Sequence, residues 1–345
     1  MNRTHFLRRW LLGLSLCLAV GSTACDTPRG VEYDGRRLPV VDMHLHPGEW
    51  DGIPEDTQRF IGSRFPFPLG LNAKATAEGI LSAEGILAEM DKGGVSQAVL
   101  YAVYAPRSVG ITPNERVISD TAKAPDRLFG FASLRVDNFR VDRDAELARL
   151  RAALASPSMI GIKLAHAHQH FRMDDPLYFG IYQLSAELKK PVYLHTGSSP
   201  FPGTSREAPY TDPTYLEAAI VAYPGAVFIL GHLGHNFIDQ KPGALDACIR
   251  LAKTYRNVYL EPSALGSKGS DPTGENLKLS MGKMREAGLV DRIIYGSDGP
   301  QSPGFVKDYL SRTVQAMHAT GYTADEAAAV LAGNFARVFN VPAAK

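Results

Sequence analysis

The chain has 345 residues, 45% hydrophobic and 21% charged, with 37 Lys and Arg against 36 Asp and Glu. A single core stops growing at about 250–300 residues, so the length allows one large domain or two small ones. The composition excludes a disordered chain, a collagen-like repeat and a multispan membrane protein, and a net charge of +1 offers no basic excess for nucleic acid.

Residues 1–24 have the layout of an export signal. Arg3, Arg8 and Arg9 form a basic start, Trp10 to Val20 is an apolar run too short to span a bilayer well, and Ser22-Thr23-Ala24 places small residues before Cys25. The segment resembles a bacterial lipoprotein signal, although Ser22 stands where that pattern usually has Leu. The resemblance implies lipidation of Cys25. Ordinary cleavage with secretion and an uncleaved anchor are the alternatives. The expected layout is a signal peptide over 1–24, a polar tether over 25–37 and a folded domain over 38–345. The expected location is exported, held at a membrane only through the lipid and otherwise secreted. Cys17 leaves with the signal and Cys25 is the anchor, so Cys248 has no partner for a disulfide. Its apolar helical surroundings (Ala244, Leu245, Ile249) make it a small core residue.

Eight short β-branched or apolar runs follow: Val40–His46, Val95–Tyr104, Leu128–Val136, Met159–His166, Pro191–Gly197, Ala226–Gly234, Asn257–Leu265 and Arg292–Pro300. After a first interval of 55 residues their starts recur every 31 to 35. Between them lie stretches with helical spacing, including Ala83–Lys92, Val141–Ala155, Leu177–Lys189, Pro213–Tyr223, Gly243–Tyr255 and Gly274–Ala287. Strands alternating with helices imply a parallel sheet with right-handed crossovers, and eight units are the arithmetic of an α/β fold of the (β/α)8 TIM-barrel type. Val306–Thr320 and Ala324–Phe339, the latter preceded by Thr323 and with Asp325 in its first turn, predict extra C-terminal helices. The long first interval places Pro47–Ala77 after the first strand, where a loop lies over the active face of a barrel, as a lid or as a passive insertion.

Strand alternation puts Asp42, His44 and His46 on one face and Val41, Met43 and Leu45 on the other. Two imidazoles inside a barrel are costly unless paired or bound to a metal. His195, His232 and Asp298 each end an apolar strand before a Gly-rich turn, and Lys163 lies near the end of another. In a barrel these ends converge on one mouth, so four His and one Asp there predict a metal centre. Glu261, closing the seventh strand, and His166, opening the run His166-Ala167-His168-Gln169-His170, are candidates for substrate contact. For His168 and His170 a plain surface loop is the competing reading. Phe201 and Tyr210, in the segment after His195, are candidate apolar contacts.

These pieces together, Asp42-x-His44-x-His46, the strands ending in His195 and His232, Gly296-Ser297-Asp298 and the late Gly333-Asn334-Phe335-Ala336-Arg337-Val338-Phe339, resemble the amidohydrolase superfamily, in its amidohydrolase-related, aminocarboxymuconate-semialdehyde decarboxylase-like branch. The resemblance covers roughly residues 38–342. It implies His44, His46, His195 and Asp298 as metal ligands and Asp298 and His232 as catalytic residues. In two-metal members the residue matching His232 is a ligand and a carboxylated lysine, here Lys163, bridges the metals. Asp42 orients a histidine or packs deeper. Zn²⁺, one or two per chain, is the expected divalent metal, a small molecule the substrate, and a homodimer what the branch suggests. The leading expectation is a hydrolase activating water for attack on an amide, ester or lactone. The alternative is a non-oxidative decarboxylase of an unsaturated or aromatic acid, and a non-catalytic binding lipoprotein is the third.

Overall fold

The computed structural model describes residues 29–342 and 344; the expected signal segment and Cys25 lie outside the described residues. Seven parallel strands are built from the predicted apolar runs: β1 (Val41–Leu45), β2 (Gln97–Tyr101), β3 (Leu128–Ala132), β4 (Met159–Leu164), β5 (Val192–His195), β6 (Phe228–Gly231) and β7 (Val258–Glu261). They pair in strict chain order into one curled sheet, and helices pack on its outer side. The eighth run, 292–300, is not a regular strand. It lies in the gap between β7 and β1 and closes the ring through isolated parallel bridges, Leu260 to Ile293 and Leu45 to Gly299. Ile294 N donates to Leu260 O at 2.9 Å and Met43 N to Tyr295 O at 3.1 Å. The architecture is the expected (β/α)8 barrel with an irregular eighth stave.

The alternation of the strands divides the core in two. Val99, Tyr101, Phe131, Tyr193, Ile229 and Ile294 fill the inside of the ring, and Phe335 of the closing helix plugs its floor. Leu100, Ile162, Leu194, Leu230 and Leu260 face outward against the helices. No helix among the described residues is long and apolar enough to cross a membrane. The predicted C-terminal helices form as Phe305–Ala319 and as a second stretch that is α over Ala324–Ala328, π over Ala329–Gly333 and α again over Asn334–Phe339. Thr323 and Glu326 make a reciprocal capping box at its start. Asn334 donates to Val290 O at 2.8 Å and Ile293 O at 2.7 Å, which fixes this helix to the root of the eighth stave.

Three sequence expectations change. Residues 31–38, expected to lie largely in a polar tether, are structured, because Val31–Tyr33 and Arg36–Leu38 form an antiparallel hairpin. Its turn is Asp34-Gly35, both with positive φ (47° and 76°), the type of pair that matches hairpin twist. Tyr33 is buried, donates to Tyr322 O at 2.8 Å and stacks on His318 at 4.0 Å. Residues 47–81 are no open loop but a small helical cap, with helices Glu55–Arg64 and Ala73–Leu81 and its own core of Trp50, Phe65, Ala77 and Ile80. In β1 the face alternation slips, since the pairing to β2 is irregular between Asp42 and Leu45. Val41 and Met43 sit with the interior cluster, the reverse of the expected face, while Leu45, beyond the slip, packs outward.

Candidate metal centre

The slip in β1 turns His44 to the inside of the ring one residue after Met43. His44 is fully buried. Its Nδ1 lies 3.1 Å from Glu261 Oε1 and 3.0 Å from Tyr193 Oη. Tyr193 donates its own proton to Glu261 Oε2 at 3.1 Å, and Ser263 Oγ donates to the same oxygen at 2.7 Å. An ionised carboxylate can only accept, so His44 Nδ1 carries the proton and Nε2 presents a lone pair. That lone pair points at His46 Nε2, 3.0 Å away, and at Asp298 Oδ1, also 3.0 Å away; His46 Nε2 is 3.2 Å from the same oxygen. Among the described residues, His44, His46 and Asp298 are the group whose ligand atoms lie close enough to share one metal ion.

Three electron-rich atoms at such distances need a shared cation, because lone pairs facing one another repel. In the bare protein a proton does this. Burial and Lys163 push the His44 ring down, but Asp298 and Glu261 outweigh them and hold it above the ordinary histidine value. Burial would raise Asp298, yet His44 and His46 keep its carboxyl far below the usual range. His46 is pushed down to about 4 by burial. The donor set, two neutral imidazoles and one carboxylate, fits a divalent transition metal.

His195 stands beside this group rather than in it. Its buried Nε2 has no hydrogen-bond partner, and its ring packs 4.4 Å from His232 and 4.9 Å from His168. His232 Nδ1 is 2.9 Å from Ser263 Oγ and 3.2 Å from Ser263 O, so that nitrogen carries the proton, and Nε2 lies 3.3 Å from Tyr193 Oη. Burial pushes His232 down to about 4. His232 and Asp298 both adopt left-handed backbone (φ 62° and 67°), a strain that surrounding contacts must hold in place. Lys163 Nζ lies 3.5 Å from His44 Nε2, over the rings of Tyr193 at 4.0 Å and Tyr101 at 4.7 Å. Burial pulls its amine down to about 7.

The positions that hold these groups are specified from behind. Asp42 is fully buried, and its Oδ1 accepts from His44 N at 3.1 Å and Ser297 N at 2.9 Å. One carboxylate oxygen thus ties β1 to the eighth stave, next to the two residues that must meet. Gly296 is required by close approach, because a Cβ there would lie 2.1 Å from Glu261 Oε1 and 3.0 Å from His44 Cβ.

His46, Lys163, His195, His232 and Asp298 line a cavity of about 940 Å³ that opens beneath the helical cap. Two expected substrate contacts do not reach it. Glu261 is fully buried and supports His44 instead. His166 leaves β4 where the chain turns into the short helix His166–Gln169, which sends its ring against Phe171 at 4.2 Å. His168, two residues on, is the one in the cavity wall, with Nδ1 3.1 Å from Ser108 Oγ. Phe201 lines the cavity and Tyr210 does not. Tyr193 and Ser263 are central to the site yet carry no motif. Alternation from His195 back to Tyr193 was their only sequence signal.

A family profile described as amidohydrolase matches residues 41–341. A comparison with curated proteins gives no match. Among solved structures, an uncharacterized TIM-barrel protein from Bordetella bronchiseptica is 18% identical with a TM-score of 0.65, covering 88% of this chain and 99% of that one. A 5-carboxyvanillate decarboxylase from Novosphingobium aromaticivorans, complexed with manganese, is 16% identical with a TM-score of 0.60 over 92% and 99%. A probable 2-pyrone-4,6-dicarboxylic acid hydrolase from Acinetobacter baumannii is 17% identical with a TM-score of 0.59 over 88% and 100%.

Proposed function

The chain belongs to the amidohydrolase family, and on that premise we propose that it is a metal-dependent enzyme that decarboxylates a small aromatic or unsaturated acid without an oxidant. The observation that carries this reading is the pairing of one compact ligand group with a buried amine. His44, His46 and Asp298 converge within one ion's reach, and Lys163 Nζ stands 3.5 Å from that group in the cavity wall. The similar structures include several decarboxylases of aromatic acids, which agrees with it.

When bound, a divalent cation supplies Lewis acidity toward a substrate oxygen. We place zinc and manganese level as its identity, since this donor set accepts both. Lys163 is poised between its charged and neutral forms near pH 7, so a substrate carboxylate beside it recovers the ammonium form and is oriented by it. Glu261, Tyr193 and Ser263 hold His44 in one tautomer. His232, with Nδ1 anchored on Ser263 and Nε2 3.3 Å from Tyr193 Oη, accepts or returns a proton at the cavity wall. Gln301 Nε2 donates to Asp298 Oδ2 at 3.1 Å and keeps that second oxygen at the cavity.

Hydrolysis of an ester, amide or lactone is the second reading. It is favoured by the adjacent His195 and His232 rings, which with a carboxylated Lys163 would form a second ligand set. Metal-loaded wild type and His44→Ala should be given hydroxybenzoic and unsaturated acids, with release of CO₂ recorded, and aryl esters and lactones in parallel. CO₂ from an acid, absent in His44→Ala, with one metal per chain that survives Lys163→Ala, is the expected result. Ester or lactone cleavage with two metals, falling to one without Lys163, would transfer the assignment to hydrolysis. We also propose export with a lipid on Cys25, which Cys25→Ser should release from the membrane fraction.

A further inference from the structure

Resting on the metal-centre reading, we propose that the substrate carries a flat apolar body about two rings long, which lies along an aromatic track running from the metal centre to the cap. The rings of His232 and His195 are 4.4 Å apart, His195 and His168 4.9 Å, His168 and Phe201 6.1 Å, and Phe201 and Phe60 5.2 Å. All five line the same cavity. The Arg64 guanidinium sits 4.8 Å over the outer face of Phe60 and ends the series. The steps are at or close to the separations at which aromatic rings pack edge-to-face or tilted.

The track joins four separate pieces of chain, with His232 after β6 and His195 at the end of β5. His168 follows β4, Phe201 lies in the segment after His195, and Phe60 belongs to the cap helix Glu55–Arg64. A wall of this kind is wasted on a molecule that reaches only the ligand group. The cavity, about 940 Å³, lies at the upper end of the size usual for small-molecule sites, several times what a single-ring acid fills. Its lining includes an apolar set, Ile61, Phe65, Val103, Val109 and Ile111, alongside charged residues such as Lys268, Lys307 and Asp308. A second ring laid on the track exchanges water for Phe201 and Phe60.

The test uses hydroxamates, which chelate a divalent metal whichever bond the enzyme breaks. Benzohydroxamate and biphenyl-4-carbohydroxamate are titrated calorimetrically into the manganese-loaded full chain, wild type, Phe60→Ala and Phe201→Ala, with melting curves to confirm folding. Burying a second ring should tighten the biphenyl compound about tenfold or more in wild type. The ratio of the two affinities should fall toward one in both variants. Equal binding of the two compounds by wild type, or a ratio kept intact in both variants, overturns the track and leaves the metal centre standing. Failure of wild type to bind either hydroxamate overturns the metal-centre reading and the track with it.

Discussion

Gly296→Ala tests whether the support of His44 is the point on which the site turns. The new methyl would sit 2.1 Å from Glu261 Oε1 and 3.0 Å from both Glu261 Cδ and His44 Cβ. Ordinary contact requires about 3.5 Å, so the carboxylate must retreat by about 1.4 Å. The His44 Nδ1 to Glu261 distance, now 3.1 Å, then leaves hydrogen-bond range. Overpacking costs about 1–3 kcal/mol and the loss of a charge-assisted bond a similar amount, so about 3 kcal/mol in all is expected, a fall of several degrees in Tm. Disturbing the partner of a ligating histidine costs about 10–100-fold in metal affinity. Gly79→Ala is the control, because a Cβ there meets nothing within 4 Å and the residue lies in the helix Ala73–Leu81. It should hold or gain stability. Thermal melts and manganese titrations of both variants decide the matter. Wild-type metal affinity in Gly296→Ala would refute the claim that Glu261 sets the state of His44.

Asp42→Ala leaves the His44 and Ser297 amides without their acceptor and should cost about 2–4 kcal/mol in denaturant unfolding, whereas Asp42→Asn keeps an oxygen and should recover most of it. Manganese at about 100 times its Kd should stabilise wild type by about 2.7 kcal/mol and His44→Ala not at all, read by melting with and without chelator. His166 is buried with both nitrogens unpartnered, and burial pushes it down to about 3 from 6.5. Because the folded value is the lower one, its contribution is complete above pH 6.5 and drains away as pH falls toward 3, by about 1.4 kcal/mol per unit. His166→Leu should flatten that slope by one proton in unfolding curves taken between pH 4.5 and 7; an unchanged slope would rule out His166 as its source.

The eight-unit rhythm and the residues at the strand ends were legible because burial on a parallel sheet forces short apolar runs, and the barrel then makes their ends converge. The slip in β1 was not. A strict period of two put Met43 opposite His44, and only the irregular pairing with β2 shows both turned inward. Glu261 ended a strand as expected, but its direction depended on Gly296 opposite, a contact 35 residues away in sequence. His166 and His168 exchanged places because a four-residue helix starts directly after β4, too short to leave a periodic trace. The hairpin at 31–38 did carry a signal, the Asp34-Gly35 pair, hidden by strands of only three residues.

The irregular eighth stave has a mechanical consequence. Where the other staves pair as strands, this one is held by two isolated bridges, single backbone bonds such as His46 N to Gly299 O at 2.7 Å and Asp298 N to His44 O at 3.0 Å, the Asp42 clasp and the meeting of His44 with Asp298. The chemical centre is thus also the fastener of the ring. An ion held by His44 and Asp298 would tie the first and last staves together, so ion loading would strengthen this seam. Amide exchange across 292–300 should report ion loading more sharply than any other stretch.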